Sequence, residues 1–550
     1  MRRLLPTLLL GLGTSLASQA QLYIDNATFF IESGATVTVQ GDLTSNTSIQ
    51  GPGKILLKGT ALQNVNMNNG GAATNAYTIP NLEIDNAANV ALTGNVKVGT
   101  ALTFTNGKVQ LGNYNFVLAN AATATGAGTS KFLETTGTGF AQREIGNAAA
   151  ATPLVIPVGT GTTYTPISLS HTGGTYANAV LGAQSKAGRS PNSPIRTETY
   201  SNNYWPVATT GVTGGTLVGT GTYNDFTTAS TGVESDIRGM SFNGTDWSMT
   251  GGAQNDATNL VTGSLAATSG QIFGQNRFLL MNSKVLLQGA SPTAGVMLDG
   301  LRTAPNVIPT TEPYRSAPYS FTSVNGGTQE VAAASVFADA AITNNNIVDW
   351  VFVELRAGGT NGTATPAPTV IQTRSAFVQK DGDIVDIDGV TPLYFKNLDA
   401  GTSYTVTVKH RNHLAISTNN ADANSFYKTL TMSGSTTPLD FSTLPTNSIL
   451  GTANSNYFNA SGFNMMYAGN TNNNTTIRWN PSNSDKDFIL SSPLILNGVS
   501  STVLTNVYNV GDVNMDKRVR WNPSASDKDF ILSTPLAGNS ASVKTQVLPN

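Results

Sequence analysis

The sequence predicts a mainly β protein with an N-terminal β-solenoid-like region, two β-sandwich domains and a small C-terminal module of two similar loops. Three observations indicate this fold class. Apolar residues recur in pairs at positions i and i+2, which is the alternation of a half-buried strand. Turn-forming dipeptides such as Asn-Gly and Thr-Gly separate these pairs. A segment near the C-terminus is repeated 42 residues later. The predicted parts are residues 1–20, 21–150, 151–282, 283–330, 331–445 and 460–550.

The chain begins with a targeting segment. Arg2 and Arg3 precede the apolar residues 4–16, and Ser18 and Ala20 supply the small residues of a cleavage site. We therefore expect Sec-type export with cleavage near Ala20, and an extracellular or outer-surface location. No other apolar run approaches the roughly 20 residues of a membrane-spanning helix, so no membrane span is expected.

The composition excludes several classes of function. The net charge is −2, which gives no electrostatic attraction for nucleic acid. Charged residues make up 11% of the chain, compared with about 25% in typical domains, and neutral polar residues suit a β structure with many turns. The chain has no Cys, which removes thiol catalysis and Cys-based zinc sites. Stability must therefore come from packing, together with metal ions where the chain binds them.

Residues 21–150 have the pattern of short, evenly spaced strands. Such spacing favours a β-solenoid, in which each strand buries one face against the next coil. An antiparallel sandwich is the competing geometry, because the repeat is imperfect. The apolar pairs that carry this prediction are Leu82 and Ile84, Val90 and Leu92, Val96 and Val98, Leu102 and Phe104, and Val109 and Leu111.

The next block, residues 151–282, has the pattern of a β-sandwich. Val155–Gly159 and Tyr164–Leu169 form two strands around a Gly/Thr turn, and Asn243-Gly244 is a hairpin signal. Residues 283–330 form a connector in which closely spaced prolines resist regular structure.

A second sandwich of seven or eight strands is predicted over residues 331–445. Its clearest strands are Val348–Leu355, Phe377–Asp388 and Tyr404–His410, where apolar and polar residues alternate.

The strongest repeat of the chain lies at its C-terminal end. The segment from Gly469 to Pro481 recurs from Gly511 to Pro523, and Ser484–Leu490 recurs as Ser526–Leu532. A match of this length does not arise by chance.

The oxygen-bearing residues of the second copy predict a calcium site. Calcium takes six to eight oxygen ligands, and a D-x-N-x-D loop supplies three side-chain oxygens and then a backbone carbonyl. The twelfth position, where an EF-hand has an acidic ligand, is Pro523, so an acidic residue beyond it must return to the ion. The predicted ligands are Asp512, Asn514, Asp516, the Arg518 carbonyl and either Asp527 or Asp529.

The first copy carries fewer carboxylates and is expected to be a weak or vestigial calcium site. Its candidate ligands are Asn470, Asn472, Asn474, Asp485 and Asp487. The alternative is that both copies are polar turns, since Asp and Asn turn and cap chains routinely. In that case Asp485 and Asp527 are N-caps of short helices.

Residues 466–536 resemble the dockerin type of tandem calcium repeat, with Lys517 where that pattern usually has Gly. The order of parts also resembles a family of secreted, adhesin-like surface proteins of Bacteroidetes-type bacteria. This resemblance implies a transthyretin-like or carboxypeptidase-regulatory-like sandwich at 331–445, cell-surface residence, and a protein partner for the repeats. The matching segments are Val285–Gly289, Val348–Arg356, Gln379–Gly389 and Val408–Leu414.

Candidate catalytic residues are few. His410 and His413 are spaced i, i+3 at a strand end, which we interpret as partly exposed. The acidic cluster of residues 381–388 is interpreted as a solvated hairpin rather than a glycosidase or calcium site. The solenoid-like region has too few charged residues for a polysaccharide-cleaving site. Between residues 81 and 120 these are Glu83, Asp85, Lys97 and Lys108.

The sequence thus predicts a secreted or cell-surface structural or adhesive protein, not an enzyme, with a calcium-stabilised C-terminal docking module. The cofactor is Ca²⁺. The expected partners are a protein for the repeats and a glycan or surface ligand, with no nucleic acid. The alternative function is a glycan-binding or glycan-degrading accessory protein that attaches to its partners through the repeats.

Overall fold

The computed structural model describes residues 20–68, 77–228, 232–249, 258–266, 268–338, 343–357, 368–398, 403–419, 428–429, 432, 438–498, 503–522 and 526–549. The predicted signal peptide lies almost entirely outside the described residues. The chain divides into two compact units. The first contains Met1–Ser193 and Glu198–Asn276, and the second contains Pro194–Thr197 and Arg277–Asn550.

The first unit starts as a β-solenoid-like arrangement, because the chain alternates between two parallel sheets. The first sheet contains Leu22–Ile24, Leu43–Ser45, Gln63–Asn66, Val90–Leu92, Val109–Gln110, Leu133–Glu134 and Val158–Thr160, with Thr163–Tyr164 antiparallel at its end. The second sheet begins with Thr36–Val39, Lys54–Leu57, Thr78–Asp85, Val96–Asn106, Phe116–Leu118 and Ala141–Gly146. Smaller pairings join Phe29–Phe30 to Ile49–Gln50 and Thr123–Thr125 to Val96–Asn106.

Alternation along each strand explains this arrangement. Lys54–Leu57 has its second and fourth residues buried, and Leu82 and Ile84 are buried in the strand that pairs beside it. The predicted apolar pairs all lie in the core of the first unit. The solenoid-like prediction is therefore confirmed, and the chain is mainly β.

Beyond Ala141–Gly146 the second sheet continues with antiparallel strands. These are Thr175–Ala183, Tyr200–Thr213, Ser269–Asn276, Ile237–Phe242 and Trp247–Met249, with Lys186–Ala187 and Phe226–Thr227 beside Tyr200–Thr213. A third, antiparallel sheet contains Ala150–Ile156, Ile167–Thr172, Thr216–Thr222 and Leu260–Leu265. The boundary predicted after residue 150 falls inside a strand, and the second sheet joins both blocks by hydrogen bonds.

The second unit is organised around one main sheet. Its order is His413–Ser417, Ser403–His410, Ile347–Ala357, Thr369–Gln379, Asp383–Val385, Ser283–Lys284 and Leu439–Asp440, with Lys428–Thr429 beside Ser403–His410. Neighbours are antiparallel except for the last pair. Two further antiparallel pairs join Phe278–Met281 to Leu393–Lys396 and Phe458–Ala460 to Phe463–Met465.

Residues 283–330 have little regular structure, as their prolines predict, yet they contribute to the core. Leu286, Met297, Leu301 and Tyr314 are buried with the apolar residues of the main sheet. This segment is therefore packed into the second unit rather than extended as a spacer.

The two C-terminal repeats pair with each other in a crossed manner. The strand after the first loop, Thr476–Arg478, pairs with Val543–Thr545 at the end of the second repeat. The strand after the second loop, Arg518–Arg520, pairs with Val503–Thr505, which follows the first repeat. Each loop also leads to a short helix, Asp485–Ile489 or Asp527–Ser533, and the first continues as a π-turn and a 3₁₀-turn to Asn497.

Candidate metal centre

The second loop folds around the buried side chain of Asp512. This residue is 0% exposed, and one carboxylate oxygen accepts the N–H of Asp516 at 2.9 Å while the other accepts the N–H of Lys517 at 3.0 Å. Met515 and Lys517 both have positive φ, at 58° and 70°. Lys517 thus adopts the left-handed turn for which glycine is usually used.

A second buried carboxylate, that of Asp527, joins the two ends of this loop. It accepts the N–H of Val513 at 3.0 Å and the N–H of Arg520 at 2.7 Å, and Asp527 is also 0% exposed. Asp527 is the first residue of its helix, while Ser526 is the N-cap. The side chain therefore turns back to the loop, and the interpretation of Asp527 as an N-cap is wrong.

Asp529 does not face the loop. Its carboxylate accepts the N–H of Ser526 in a capping box and pairs with Lys528 at 2.6 Å. Of the two acidic residues predicted to return to the ion, the structure places Asp527 beside the loop. Pro523, at the twelfth position, lies outside the described residues.

Burial raises the pKa values of the Asp512 and Asp527 carboxylates. Burial raises the pKa of Asp512 to about 7; nearby Asp516 raises this pKa further and Arg411 opposes the rise. Burial also raises the pKa of Asp527 well above its usual range, and the charge of Asp512 adds to the effect. Within the described residues neither carboxylate has a Lys, Arg or His side chain within 4 Å.

The remaining predicted ligands lie at the rim of the loop. Asp516 is partly exposed, pairs with Arg520 at 2.8 Å and accepts the N–H of Arg518 at 3.0 Å. Asn514 accepts the N–H of Asp516 at 3.3 Å and donates to its carboxylate at the same distance. Across the described ranges, no three His, Cys, Asp or Glu side chains cluster closely enough to hold a metal ion by themselves.

The first loop is arranged like the second, but the side chain at its centre is that of Asn470 instead of an Asp. Asn470 accepts the N–H of Asn474 at 3.1 Å and donates its amide to the Asn474 carbonyl at 2.8 Å. Asn472 also accepts the N–H of Asn474, at 3.3 Å. The Asn470 side chain thus closes the first loop through both its amide oxygen and its amide N–H.

The acidic residues of the first repeat match those of the second. Asp485 accepts the N–H groups of Thr471 and Arg478 at 3.1 and 2.9 Å, and burial raises its pKa to about 7. It is the first helical residue after the N-cap Ser484, so it is not an N-cap either. Asp487 belongs to the capping box and pairs with Lys486 at 2.5 Å, away from the loop.

The donor set of the second loop fits calcium. All of its donors are oxygens, and two buried carboxylates whose charges repel each other are costly unless a cation or protons compensate them. In the first loop only Asp485 combines burial with a carboxylate. The two loops therefore differ in the number of buried carboxylates, as their Asp and Asn residues predict.

Sequence reasoning missed the turn between Ser403–His410 and His413–Ser417. Asn412 at this turn is 0% exposed. Its carbonyl accepts the N–H groups of Gly469 and Asn470, and its amide donates to the Asp512 carbonyl at 2.7 Å. A single polar residue in a tight turn carries no periodic signal by which this role could be recognised.

Beside this turn lies a buried ionic cluster that the sequence also did not reveal. Asp349 accepts from Arg411 at 2.8 Å, from Tyr508 at 2.7 Å and pairs with His410 at 3.1 Å. Burial alone would raise the pKa of the Asp349 carboxyl, but Arg411 and His410 hold it at about 2. The Arg411 guanidinium also lies 4.7 Å from the Tyr508 ring centroid.

The two histidines are not partly exposed, so that prediction is wrong. The turn brings His410 opposite His413, with 2.8 Å between their Nδ1 atoms, and both are 2% exposed. His413 Nε2 accepts the N–H of Gly289 at 3.0 Å. Burial lowers the pKa of both imidazoles.

The acidic cluster of residues 381–388 is a hairpin, but it is not wholly solvated. Asp386 is buried and accepts the N–H groups of Ile387 and Tyr394 at 2.6 and 3.3 Å. Asp388 accepts the N–H groups of Val390 and Thr391 in the turn.

Eight charged residues of the solenoid-like region form four ion pairs, each between residues in or directly beside two different strands. The pairs are Lys54 with Glu83 at 2.5 Å, Lys58 with Asp85 at 2.8 Å, Lys97 with Glu144 at 2.6 Å and Lys108 with Glu134 at 3.2 Å. These side chains hold neighbouring coils together.

Comparison with protein families, with curated proteins and with solved structures finds no match for this chain. Nor does any helix among the described residues have the length and apolar character needed to cross a membrane. What the chain does is therefore inferred from its own residues.

Proposed function

We propose that this chain is an exported structural or adhesive protein whose C-terminal tandem repeats are stabilised by one calcium ion in the second loop. The observation that carries the proposal is the pair of buried carboxylates, Asp512 and Asp527, which form no ion pair with a Lys, Arg or His side chain among the described residues. A bound divalent cation would neutralise both charges and so favour the folded loop.

The residues that would hold the ion are Asp512 and Asp527, with oxygens from Asn514, Asp516 and the Arg518 carbonyl. Asp516 would exchange its ion pair with Arg520 for the metal, which costs little because the pair is partly exposed. Binding at 100 times the dissociation constant would add about 2.7 kcal/mol to the free energy of unfolding.

We also propose roles for the sheets, the solenoid-like region and the crossed repeats. The antiparallel sheets of residues 150–276 and the main sheet of the second unit would act as β-sandwich domains, and the crossed repeats as a dockerin-like module. The solenoid-like region would serve as a stalk or binding surface. A structural role is favoured over glycan cleavage because Glu83, Asp85, Lys97 and Lys108 are all engaged in ion pairs.

Calorimetric titration of calcium into the full-length chain tests the proposal. We expect saturable binding of one ion per chain, its loss in Asp512→Ala, and its retention in the matched variant Asn470→Ala. A flat trace for the unmodified chain would refute the calcium site. Equal binding by Asp512→Ala and the unmodified chain would refute its assignment to the second loop.

A further inference from the structure

The turn at Arg411 and Asn412 is held by both loops of the tandem module. The Asn412 carbonyl accepts the N–H groups of Gly469 and Asn470, at 2.9 and 3.0 Å, from the first loop. Its side-chain amide donates to the Val510 and Asp512 carbonyls, at 3.3 and 2.7 Å, in the second. One buried residue of the main sheet therefore connects the two repeats.

Arg411 strengthens the connection to the second loop. Its guanidinium donates to the Asn509 carbonyl, stacks on Tyr508 and pairs with the buried Asp349 of the main sheet. Tyr508 in turn donates to Asp349 at 2.7 Å. The segment that leads into the second loop is thus fixed to the interior of the main sheet by charge-assisted hydrogen bonds.

The module also covers the edge strand His413–Ser417. The N–H of Leu414 donates to the Tyr467 carbonyl at 2.9 Å, and the N–H of Ala415 donates to the Gln546 side chain at 2.8 Å. An uncovered edge strand presents unpaired backbone groups, which invite pairing with other chains. Residues on either side of the two loops thus satisfy two of the N–H groups of this strand, and Leu450 donates to the Ser417 carbonyl.

The fit between module and sheet is close. A methyl group placed on Gly289 would lie 2.3 Å from the Val513 carbonyl oxygen and 3.0 Å from the His413 ring. The backbones of Gly289 and Val513 and the ring of His413 meet here with no room for a further side chain. Such contact requires the second loop to have one defined conformation.

We infer that the partner of the tandem repeats is this chain's own turn at Arg411–Asn412 together with its edge strand, and that calcium binding locks this internal docking. The inference deepens the proposed function and rests on its calcium site. The link is direct, because the Asn412 amide donates to the backbone carbonyl of Asp512, the residue whose carboxylate would hold the ion. Loop and edge strand therefore open together.

Hydrogen–deuterium exchange of the full-length chain, with and without calcium, tests this coupling. At calcium 100 times above its dissociation constant, the exchange of amides whose opening releases the ion slows about 100-fold. We expect amide exchange to slow by this factor both in residues 512–520 and in the edge strand His413–Ser417. A strand of the first unit, Phe116–Leu118, serves as the internal reference and should not change.

Asn412→Ala separates the two effects. We expect calcium still to slow exchange in residues 512–520 of this variant, but to lose its effect on His413–Ser417. The matched control is Asn464→Ala, because Asn464 is also buried and donates its amide to two carbonyls, those of Phe441 and Leu444. That control should keep the calcium effect on both segments.

The outcomes distinguish the inference from the proposed function. Protection of residues 512–520 without protection of His413–Ser417 in the unmodified chain overturns the inference and leaves the calcium site in place. Absence of protection in both segments overturns both. A calcium effect on the edge strand that survives Asn412→Ala shows that the turn does not carry the coupling.

Discussion

Asp485 and Asp527 occupy equivalent positions in the two repeats, and each carboxylate accepts two backbone N–H groups from the loop that precedes it. Their surroundings differ in one respect. Asp527 lies close enough to the carboxylate of Asp512 for the two charges to repel each other, whereas the first loop has the neutral Asn470 at the corresponding position. Because of this difference we expect a metal ligand at Asp527 and a structural carboxylate at Asp485.

Replacing each of these residues by Asn should therefore have unequal effects on calcium binding. We expect Asp527→Asn to weaken calcium affinity at least about tenfold, which corresponds to about 1.4 kcal/mol, because one carboxylate ligand is lost. Asp485→Asn should leave the affinity within about threefold. Titration calorimetry of the full-length variants provides the measurement, and equal losses would contradict the assignment.

A single added carboxylate should give the first loop a calcium site. Asn470→Asp would place two buried carboxylates, at positions 470 and 485, in the arrangement that the second loop has. Because calcium affinity falls when a loop has fewer carboxylates, the added carboxylate should strengthen binding. We expect the stoichiometry to rise from one to two ions per chain. Asn483→Asp, an exposed residue outside the loop, is the charge-matched control. A stoichiometry of one in both variants would show that the first loop cannot close around an ion.

Gly469 should tolerate a side chain less well than Gly498. Both have positive φ, at 113° and 71°, but a Cβ on Gly469 would lie 3.2 Å from Ile531, while one on Gly498 meets nothing within 4 Å. We expect Gly498→Ala to cost about 1 kcal/mol for its backbone conformation, and Gly469→Ala to cost an additional 1–3 kcal/mol, roughly, for overpacking. Denaturant unfolding followed by the fluorescence of the five Trp residues, which include Trp479 and Trp521 in the repeats, measures both costs. Similar costs would argue against close packing between the repeats.

Acid should remove the contribution of the buried Asp349. The pKa of Asp349 is about 2 in the folded chain, compared with 3.8 for an unperturbed Asp in the unfolded chain. Its carboxylate therefore stabilises the fold above about pH 4. That contribution, about 2 kcal/mol, is lost as the pH falls from about 4 to about 2. The difference in unfolding free energy between the unmodified chain and Asp349→Asn should shrink by this amount between pH 5 and pH 2. A difference that does not change with pH would contradict the ion pair with Arg411.

The sequence predicts the solenoid-like region and the repeat well, for a physical reason. Burial on one face of a strand leaves a period of two, as at Leu82 and Ile84, and a duplicated segment is visible directly. Asp527 could be proposed as a ligand, but not chosen over Asp529, because the choice depends on which side chain follows the N-cap and turns inward.

Other features depend on contacts between distant segments. Asn412 connects the two repeats mainly through backbone carbonyls and N–H groups, which every residue has. The burial of His410 and His413 follows from the cover that the C-terminal module provides, and nothing in the strand itself indicates it. The sheet that crosses the boundary predicted after residue 150 is likewise a matter of strand pairing, which apolar alternation does not specify.

The crossed pairing of the repeats has a consequence for the order in which they form. Arg518–Arg520 finds its partner, Val503–Thr505, about 15 residues earlier in the chain, whereas Thr476–Arg478 must wait for Val543–Thr545, about 70 residues later. The first repeat is thus completed only when residues 543–545 are in place, after the second repeat has already paired its own strand.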